Sequence, residues 1–438
     1  MNKRILLAAA MLMAFVPQAG AQTAVPVGFP LKDGDVWVMA GDSITAQHLH
    51  SNYFEAFCYA RYPKLKFAFR NSGVGGHTIP STMARFDWDI AVWKPTVVSV
   101  ELGMNDQGGT PTDKYIANMG DFDAMIRKAG ARPVYFTASP INNGSTMKNI
   151  SGNAKLNDYA IALKKFAEGK NAPFADQFHQ LVDVWGNNKP NENLLTALGT
   201  IRSLAQNDKV EGVEHLKDFL AVQAKSKKIL YSMTGDPVHP GTPGQLTMAA
   251  ALLKELGAEP FVSSVVLDSK GQVTEAKGCK VEAGKEDGGT ISFTRTDDCA
   301  GFPIPDDARS MLTFYPVILE LSQHTLAVKG LKGNYNLAIN GLAVGTVSGE
   351  ELEKGVNLTT FAKGAIADQG KAILNAVGSK ENLVGQVRGQ SKAAIAPGVD
   401  ANVKAKFDAL LKQVEAADEK IREAAKPKAM KFDLIPAK

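Results

Sequence analysis

Val36-Trp37-Val38-Met39-Ala40-Gly41-Asp42-Ser43 decides the reading of this chain: an apolar run without helical period stops at a glycine, and two residues later a serine stands where a helix begins. The arrangement recurs twice. Lys66 to Arg70 leads into Asn71-Ser72-Gly73-Val74-Gly75-Gly76, and Thr96 to Leu102 leads into Gly103-Met104-Asn105-Asp106. Pro133 to Ala138 is a fourth such run, and a fifth strand is expected near Ala172 to Phe174. Helix-like segments separate the runs, with Leu49, Tyr53, Phe57 and Ala60 on one face of the first and Met83, Phe86, Ile90 and Trp93 on one face of the second. Strands alternating with helices predict a parallel sheet covered on both sides. Ligands bind such sheets beyond the carboxyl ends of the strands, where all three motifs fall.

A fourth motif, Asp236-Pro237-Val238-His239, precedes a helix expected over Gln245 to Leu256 and ended by Gly257. A triplet such as Gly41-Asp42-Ser43 arises by chance in roughly one chain in ten of this length. Four motifs in order, the first three each past a strand run, do not. Read alone, they are a turn with a helix cap, a glycine loop and a turn with a solvated histidine. Read together they supply hydrolytic chemistry. A serine hydroxyl needs a base within hydrogen-bond reach and a third group that fixes the base's tautomer; His239 and Asp236 provide both, on a loop stiffened by Pro237 and Pro240. The negative oxygen of a tetrahedral intermediate needs donors aimed at it. The Ser43 N–H, the Gly76 N–H, where no side chain blocks approach, and the neutral amide of Asn105 are suited to that task.

On these residues the chain resembles the SGNH, or GDSL-type, hydrolase superfamily: Ser43, Gly76, Asn105 and His239 match the four letters of the name, and Asp236 matches the acid of the Asp-x-x-His block. The resemblance covers about Val36 to Gly257. It implies a flavodoxin-like three-layer α/β/α domain of strand order 2-1-3-4-5, and an acyl-enzyme mechanism needing neither metal nor cofactor. The chain departs from the pattern at Ile44, where leucine is usual, and at His77, where a small acidic or polar residue is frequent. His77 is therefore expected near the pocket mouth. The long extension after the histidine block is similar to large secreted members of the superfamily. His48 and His50 are two apart, too close in sequence to converge on one ion from a helix.

Lys3, Arg4, the apolar stretch Ile5 to Val16 and Ala19-Gly20-Ala21 read as a secretory signal over residues 1–21, cut before Gln22. That stretch is too short to span a bilayer, and no later segment reaches 18 uninterrupted apolar residues. The mature chain is expected to be soluble, in the periplasm or outside the cell. Removing Lys3 and Arg4 lowers the formal charge from +4 to +2, and with no basic stripe interleaved with aromatics nucleic acid is not an expected partner. The 438 residues, 45% of them hydrophobic, suffice for two or three folding units.

Residues 22–259 are assigned to the hydrolase domain. Within it, 188–232 exceed a strand connection, and their helical periodicity reads either as a lid or as helices packed on the domain edge. From Pro260 the texture becomes β-rich, with strands expected over Phe261 to Leu267, Thr290 to Thr294, Met311 to Leu319 and Thr325 to Val328. Asn340-Gly341 between two apolar triplets signals a two-residue hairpin turn. Residues 260–348 therefore read as a small antiparallel β-rich unit. Residues 349–438 read as mostly helical, with Phe407, Leu410, Val414, Ala417 and Ile421 on one helix face. Cys279 and Cys299 flank a hairpin-like stretch and are expected to form a disulfide in an oxidising compartment, worth roughly 3 kcal/mol for a loop of about 20 residues. Cys58, among Phe54, Phe57 and Tyr59, is expected to be a buried inert thiol.

The leading expectation is a secreted carboxyl-ester hydrolase acting on a small acyl group, O-acetyl on a carbohydrate. A lipid esterase or thioesterase and a non-catalytic glycan-binding envelope protein are the alternatives. The complete set Ser43, Gly76, Asn105, Asp236 and His239 speaks against the last. The base must be unprotonated, so kcat/KM is expected to rise with pH to a plateau.

Overall fold

The computed structural model describes residues 28–188, 192–207, 216–217, 220–221 and 235–437. The expected signal sequence, residues 1–21, and most of the expected insertion, residues 188–232, lie outside the described residues. Among the described residues the strands form three sheets.

The first sheet carries β1 (Val36–Gly41), β2 (Ala68–Gly73), β3 (Val97–Glu101), β4 (Arg132–Phe136) and β5 (Phe174–Ala175) in the order β2-β1-β3-β4-β5, all parallel. This is the doubly wound α/β order that the family resemblance implies. Every residue of β3 is buried, as a strand covered on both faces requires. One apolar cluster joins Val38, Val98, Val100, Phe122 and Ile126 on one side of the sheet, and another joins Trp37, Phe54, Phe69 and Phe136 on the other. Two glycines let the nucleophile turn nest between strand ends. A Cβ on Gly41 would lie 2.0 Å from Thr45 Oγ1, and one on Gly73 would lie 2.4 Å from the backbone nitrogen of Ala46.

The helix His50–Arg61 has the expected apolar face, yet its other face is buried too. Phe57 meets Phe302 edge-on with ring centroids 5.2 Å apart, and Arg61 donates to Phe261 O and Leu321 O. The residues after 260 thus supply the second cover of this helix. The single helix expected through Met83, Phe86, Ile90 and Trp93 is instead broken into a short α-helix (Ile79–Met83), a π-turn (Phe86–Ile90) and a 3-10 turn (Ala91–Trp93). The wider π-turn places Asp89 in the interior, where three partners hold it. The final helix of this domain runs Thr242–Glu255, with Gly257 left-handed two residues beyond.

β6 (Phe261–Leu267), β7 (Val273–Lys277), β10 (Gln323–Val328) and β13 (Val356–Asn357) form the second sheet. The third holds β8 (Cys279–Asp287), β9 (Thr290–Asp297), β11 (Asn334–Ile339), β12 (Leu342–Ser348) and β14 (Ala429–Pro436). Val265, Leu267, Leu326 and Val328 of one face Ile291, Phe293, Leu337 and Phe432 of the other in a common core. The β-rich region is therefore a two-sheet unit, and not wholly antiparallel: β6 and β10 run parallel. Asn340 and Gly341 have φ of 51° and 80°, the left-handed pair that a two-residue hairpin requires. Met311 to Leu319 is not a strand. It forms two helical turns, Met311–Phe314 and Val317–Glu320, because Pro316 caps the second and has no N–H for a ladder.

The C-terminal region contains the long helices Ala365–Ala394 and Ala401–Ala425, packed on each other and on the first domain. The chain then returns to the β-rich unit, where β14 lies between β9 and β11 and stacks Phe432 on Phe293 at 5.0 Å. Burying one such ring contributes about 2–3 kcal/mol. The expected Cys279–Cys299 disulfide is absent, and both thiols are free. Cys279 pairs with Asp297 in the hairpin register, so Cys299 lies two residues beyond the ladder's end, buried against Val262 O, while Cys279 faces Ser264 O. Cys58 is buried, as expected, and its burial raises the thiol's pKa.

Candidate active site

β1 delivers Ser43 to the carboxyl edge of the first sheet. Asp42 caps the turn Ser43–Ala46, its Oδ1 accepting from the Ile44 N–H at 2.9 Å. Burial pushes the Asp42 carboxyl up to about 7, against the pull of that hydrogen bond. Gly73 ends β2, and the following loop turns back on itself, with Val74 N–H on Gly41 O at 3.1 Å and His77 N–H on Val74 O at 3.3 Å. Gly76 has φ +75°, a conformation that disfavours other residues, and a Cβ on Gly75 would stand 3.9 Å from that of Ser43. The oxyanion candidate thus lies on a loop that passes beside the serine.

Asp236 and His239 come from the loop before the helix Thr242–Glu255. Asp236 Oδ1 accepts from the backbone N–H groups of Val238 and His239 at 2.8 and 2.7 Å, which folds the loop around its carboxylate. His239 Nδ1 lies 2.9 Å from Asp236 Oδ2, and its Nε2 lies 2.7 Å from Ser43 Oγ. With the carboxylate accepting the Nδ1 proton, Nε2 is left with a lone pair facing the hydroxyl. The N–H of His239, then its ring, hold the Asp236 carboxyl below the usual range. A bridge between Gly235 and Pro240, the Gln47 amide on Pro240 O and the Asn142 N–H on Pro237 O fix the loop from outside. The pair is open to solvent: the side chains of Asp236 and His239 are 59% and 36% exposed.

Asn105 follows β3 and donates through Nδ2 to His77 O at 3.1 Å, which ties the amide to the Gly76 loop and leaves its second N–H free in direction. His77 Nδ1 accepts from Arg85 Nε at 3.2 Å. Burial, then the Arg85 charge, lowers the His77 pKa, so the ring is a neutral donor through Nε2 beside Gly76. Ser43, Gly76, Asn105, Asp236 and His239 thus gather from four loops at one sheet edge.

His48 and His50 do not converge. His50 is buried, with Nε2 at 2.8 Å from Glu101 and Nδ1 at 2.6 Å from Gln245, and although burial opposes its charge, Glu101 raises its pKa. Sequence reasoning missed Gln47, Arg85, Asp89 and Gln245. Gln245 Nε2 donates to Gln47 Oε1 at 2.7 Å, so the brace on Pro240 continues to the buried His50. None of the four sits in a motif.

Residues 39–246 match the model of the GDSL-like Lipase/Acylhydrolase family. An acetylxylan esterase of Geobacillus stearothermophilus is 23% identical over 223 residues, which are 47% of this chain and 80% of that protein. The fold is similar to that of a gut microbial diltiazem-metabolizing enzyme, with a TM-score of 0.69 and 22% identity over 95% of this chain and 100% of the other. A solved acetylxylan esterase from Geobacillus stearothermophilus aligns with a TM-score of 0.37 and 20% identity, covering 52% of this chain and 96% of its own.

Proposed function

Because residues 39–246 belong to the SGNH, or GDSL-type, hydrolase superfamily and the protein is accordingly a serine esterase, we propose that it removes small acyl groups, acetyl above all, from carbohydrate esters through an acyl-enzyme on Ser43. The observation that carries the mechanism is the 2.7 Å approach of His239 Nε2 to Ser43 Oγ, with Asp236 on the other ring nitrogen. His239 takes the hydroxyl proton as Ser43 Oγ attacks the ester carbonyl. The Ser43 N–H, the Gly76 N–H and the Asn105 amide receive the oxyanion. Collapse expels the alcohol, which leaves with the proton from His239. Water then attacks the acyl-enzyme by the same route and releases the acid.

Three considerations favour a small acyl group on a sugar. The acetylxylan esterase relative acts on an acetylated glycan by its name. His77 adds a neutral N–H donor next to the oxyanion loop, suited to a hydroxyl-rich alcohol. The N-terminal sequence reads as a secretory signal, and export to the periplasm or beyond, where such polymers occur, is part of the proposal. Hydrolysis of p-nitrophenyl esters from acetyl to decanoyl tests the acyl part, with activity concentrated at acetyl expected. A preference for octanoyl would reject the small-acyl assignment in favour of a lipid esterase.

Asn105→Ala removes one of three donors. It is expected to lower kcat about 100- to 1000-fold with little change in KM, since that donor acts on charge that develops only in the transition state. Steady-state kinetics on the preferred ester measure the split; an equal loss in 1/KM would assign Asn105 to ground-state binding.

A further inference from the structure

β2 is an edge strand, so the backbone groups on its outer side have no neighbouring strand to pair with. The two long C-terminal helices lie along that edge and satisfy it with charged side chains. Arg422 Nη1 donates to Phe67 O at 2.7 Å and Lys380 Nζ to Phe69 O at 2.8 Å. Glu381 Oε2 accepts from Asn71 N–H at 3.3 Å. Arg388 Nη2 donates to Asn71 O at 2.6 Å and its Nη1 to Gly73 O at 2.8 Å. Side chains thus stand in for a sixth strand, and the last of them reaches the residue from which the Gly76 loop departs.

Arg388 also closes a network beneath that loop. Its Nε meets Asp89 Oδ1 at 2.8 Å, and Asp89 Oδ2 takes the Ser72 hydroxyl at 2.8 Å and the guanidinium of Arg85. Arg85 in turn donates to Ser72 O at 2.7 Å, to Gly41 O at 3.4 Å and to His77 Nδ1 at 3.2 Å. One Arg–Asp–Arg unit therefore braces the strand end two residues before Ser43, the strand end at Gly73, and the residue after Gly76. Charge around it is balanced: Arg70, Arg85, Lys380 and Arg388 face Glu55, Asp89, Glu381 and Asp418.

We infer that Arg388 is a positioning residue for the oxyanion loop, so that the C-terminal helices form part of the catalytic assembly although Arg388 lies 315 residues from Gly73 in sequence. The inference rests on the esterase reading of Ser43 and Gly76. A displacement of about 1 Å in a donor costs on the order of 100-fold in rate. Arg388 itself makes no hydrogen bond to His77, the group offered to the alcohol part, so KM is expected to move less than kcat.

The test compares Arg388→Met with Arg422→Met, which removes a cap from the far end of the same strand edge and touches no part of the loop. Both proteins are assayed for kcat and KM on the preferred ester, and for the rate at which a fluorophosphonate labels Ser43. Arg388→Met is expected to lose about 30- to 100-fold in kcat and in labelling rate with KM within about 3-fold, while Arg422→Met stays within about 2-fold of wild type. Arg388→Lys, which retains a donor for one of the carbonyls, should fall between, and it serves if the methionine variant does not fold. Equal losses in the Arg388 and Arg422 variants, or a folded Arg388 variant within 3-fold of wild type, would overturn the inference alone. Wild-type protein that the fluorophosphonate does not label would remove the esterase reading first.

Discussion

Ser43→Ala is expected to abolish ester hydrolysis, lowering kcat by at least about 10⁴-fold and toward 10⁶-fold, because the attacking oxygen is gone while the loops that surround it remain. The Ser43 hydroxyl hydrogen-bonds His239, a contact that holds no element of the fold together, so the fold should survive; unchanged circular dichroism and melting would show it. His239→Ala should cost nearly as much, and the double variant little more than either single one, since nucleophile and base act as a unit. Asp236→Asn should cost less than in sites where the acid is buried, because water can reach a carboxylate that is 59% exposed. Rates on the preferred ester for the four variants measure this directly. Residual activity above about 1% in Ser43→Ala would mean that another group attacks the ester, and losses that simply multiplied in the double variant would separate His239 from Ser43.

The second large effect is on stability. Lys380 is fully buried, and its Nζ contacts Glu55 at 2.9 Å, Phe69 O at 2.8 Å and Glu381. Lys380→Met leaves two carboxyls buried without their cation, which is expected to destabilise the protein by about 3–5 kcal/mol. The deficit should depend on pH, and its sign follows from the shifts. Burial pushes Glu55 up to about 8, with Lys380 opposing and Glu381 adding, and Lys380 is itself raised because Glu381 and Glu55 outweigh the effect of burial. Both groups hold protons more tightly in the folded chain than in the unfolded one. The contribution of Glu55 is therefore fully present below its unfolded value of 4.5 and declines as pH rises toward 8, whereas that of Lys380 is fully present below 10.5 and does not change across this range. Without Lys380 the Glu55 carboxyl needs its proton more, so the variant's melting temperature should approach that of wild type near pH 4.5 and fall away from it by pH 8. A deficit constant across that range would mean that lost packing, not uncompensated charge, explains the change.

Local features were legible because each is written in a few neighbouring residues. The apolar runs before Gly41, Gly73 and Gly103 mark strand ends, and a serine, a glycine and an asparagine placed just past them have to emerge at one sheet edge. Asn340-Gly341 gave its turn for the same reason: two left-handed residues specify a two-residue hairpin without help from elsewhere. A local pattern misleads where one residue within it overrides it or where the partner is distant. Met311 to Leu319 looks like a strand until Pro316 is seen to cap a helical turn, and the pattern through Met83 and Trp93 looks like one helix until Asp89 is drawn inward between Arg85 and Arg388. Cys279 and Cys299 were paired by spacing, but hairpin register opposes Cys279 to Asp297 and carries Cys299 past the end of the ladder.

By itself the sequence determined the parallel α/β domain, its strand order through the family resemblance, and the five residues offered for the chemistry, because periodicity, turn residues and motif spacing act over short stretches of chain. Only the tertiary structure decided what surrounds them. Glu55, Lys380, Glu381 and Asp418 stand on helices where a charged residue reads as a solvated one, yet all four are buried against the edge of β2. Whether a charge faces water or a partner depends on which segment arrives to cover it, and here the partners come from more than 300 residues away, a separation that no local pattern records.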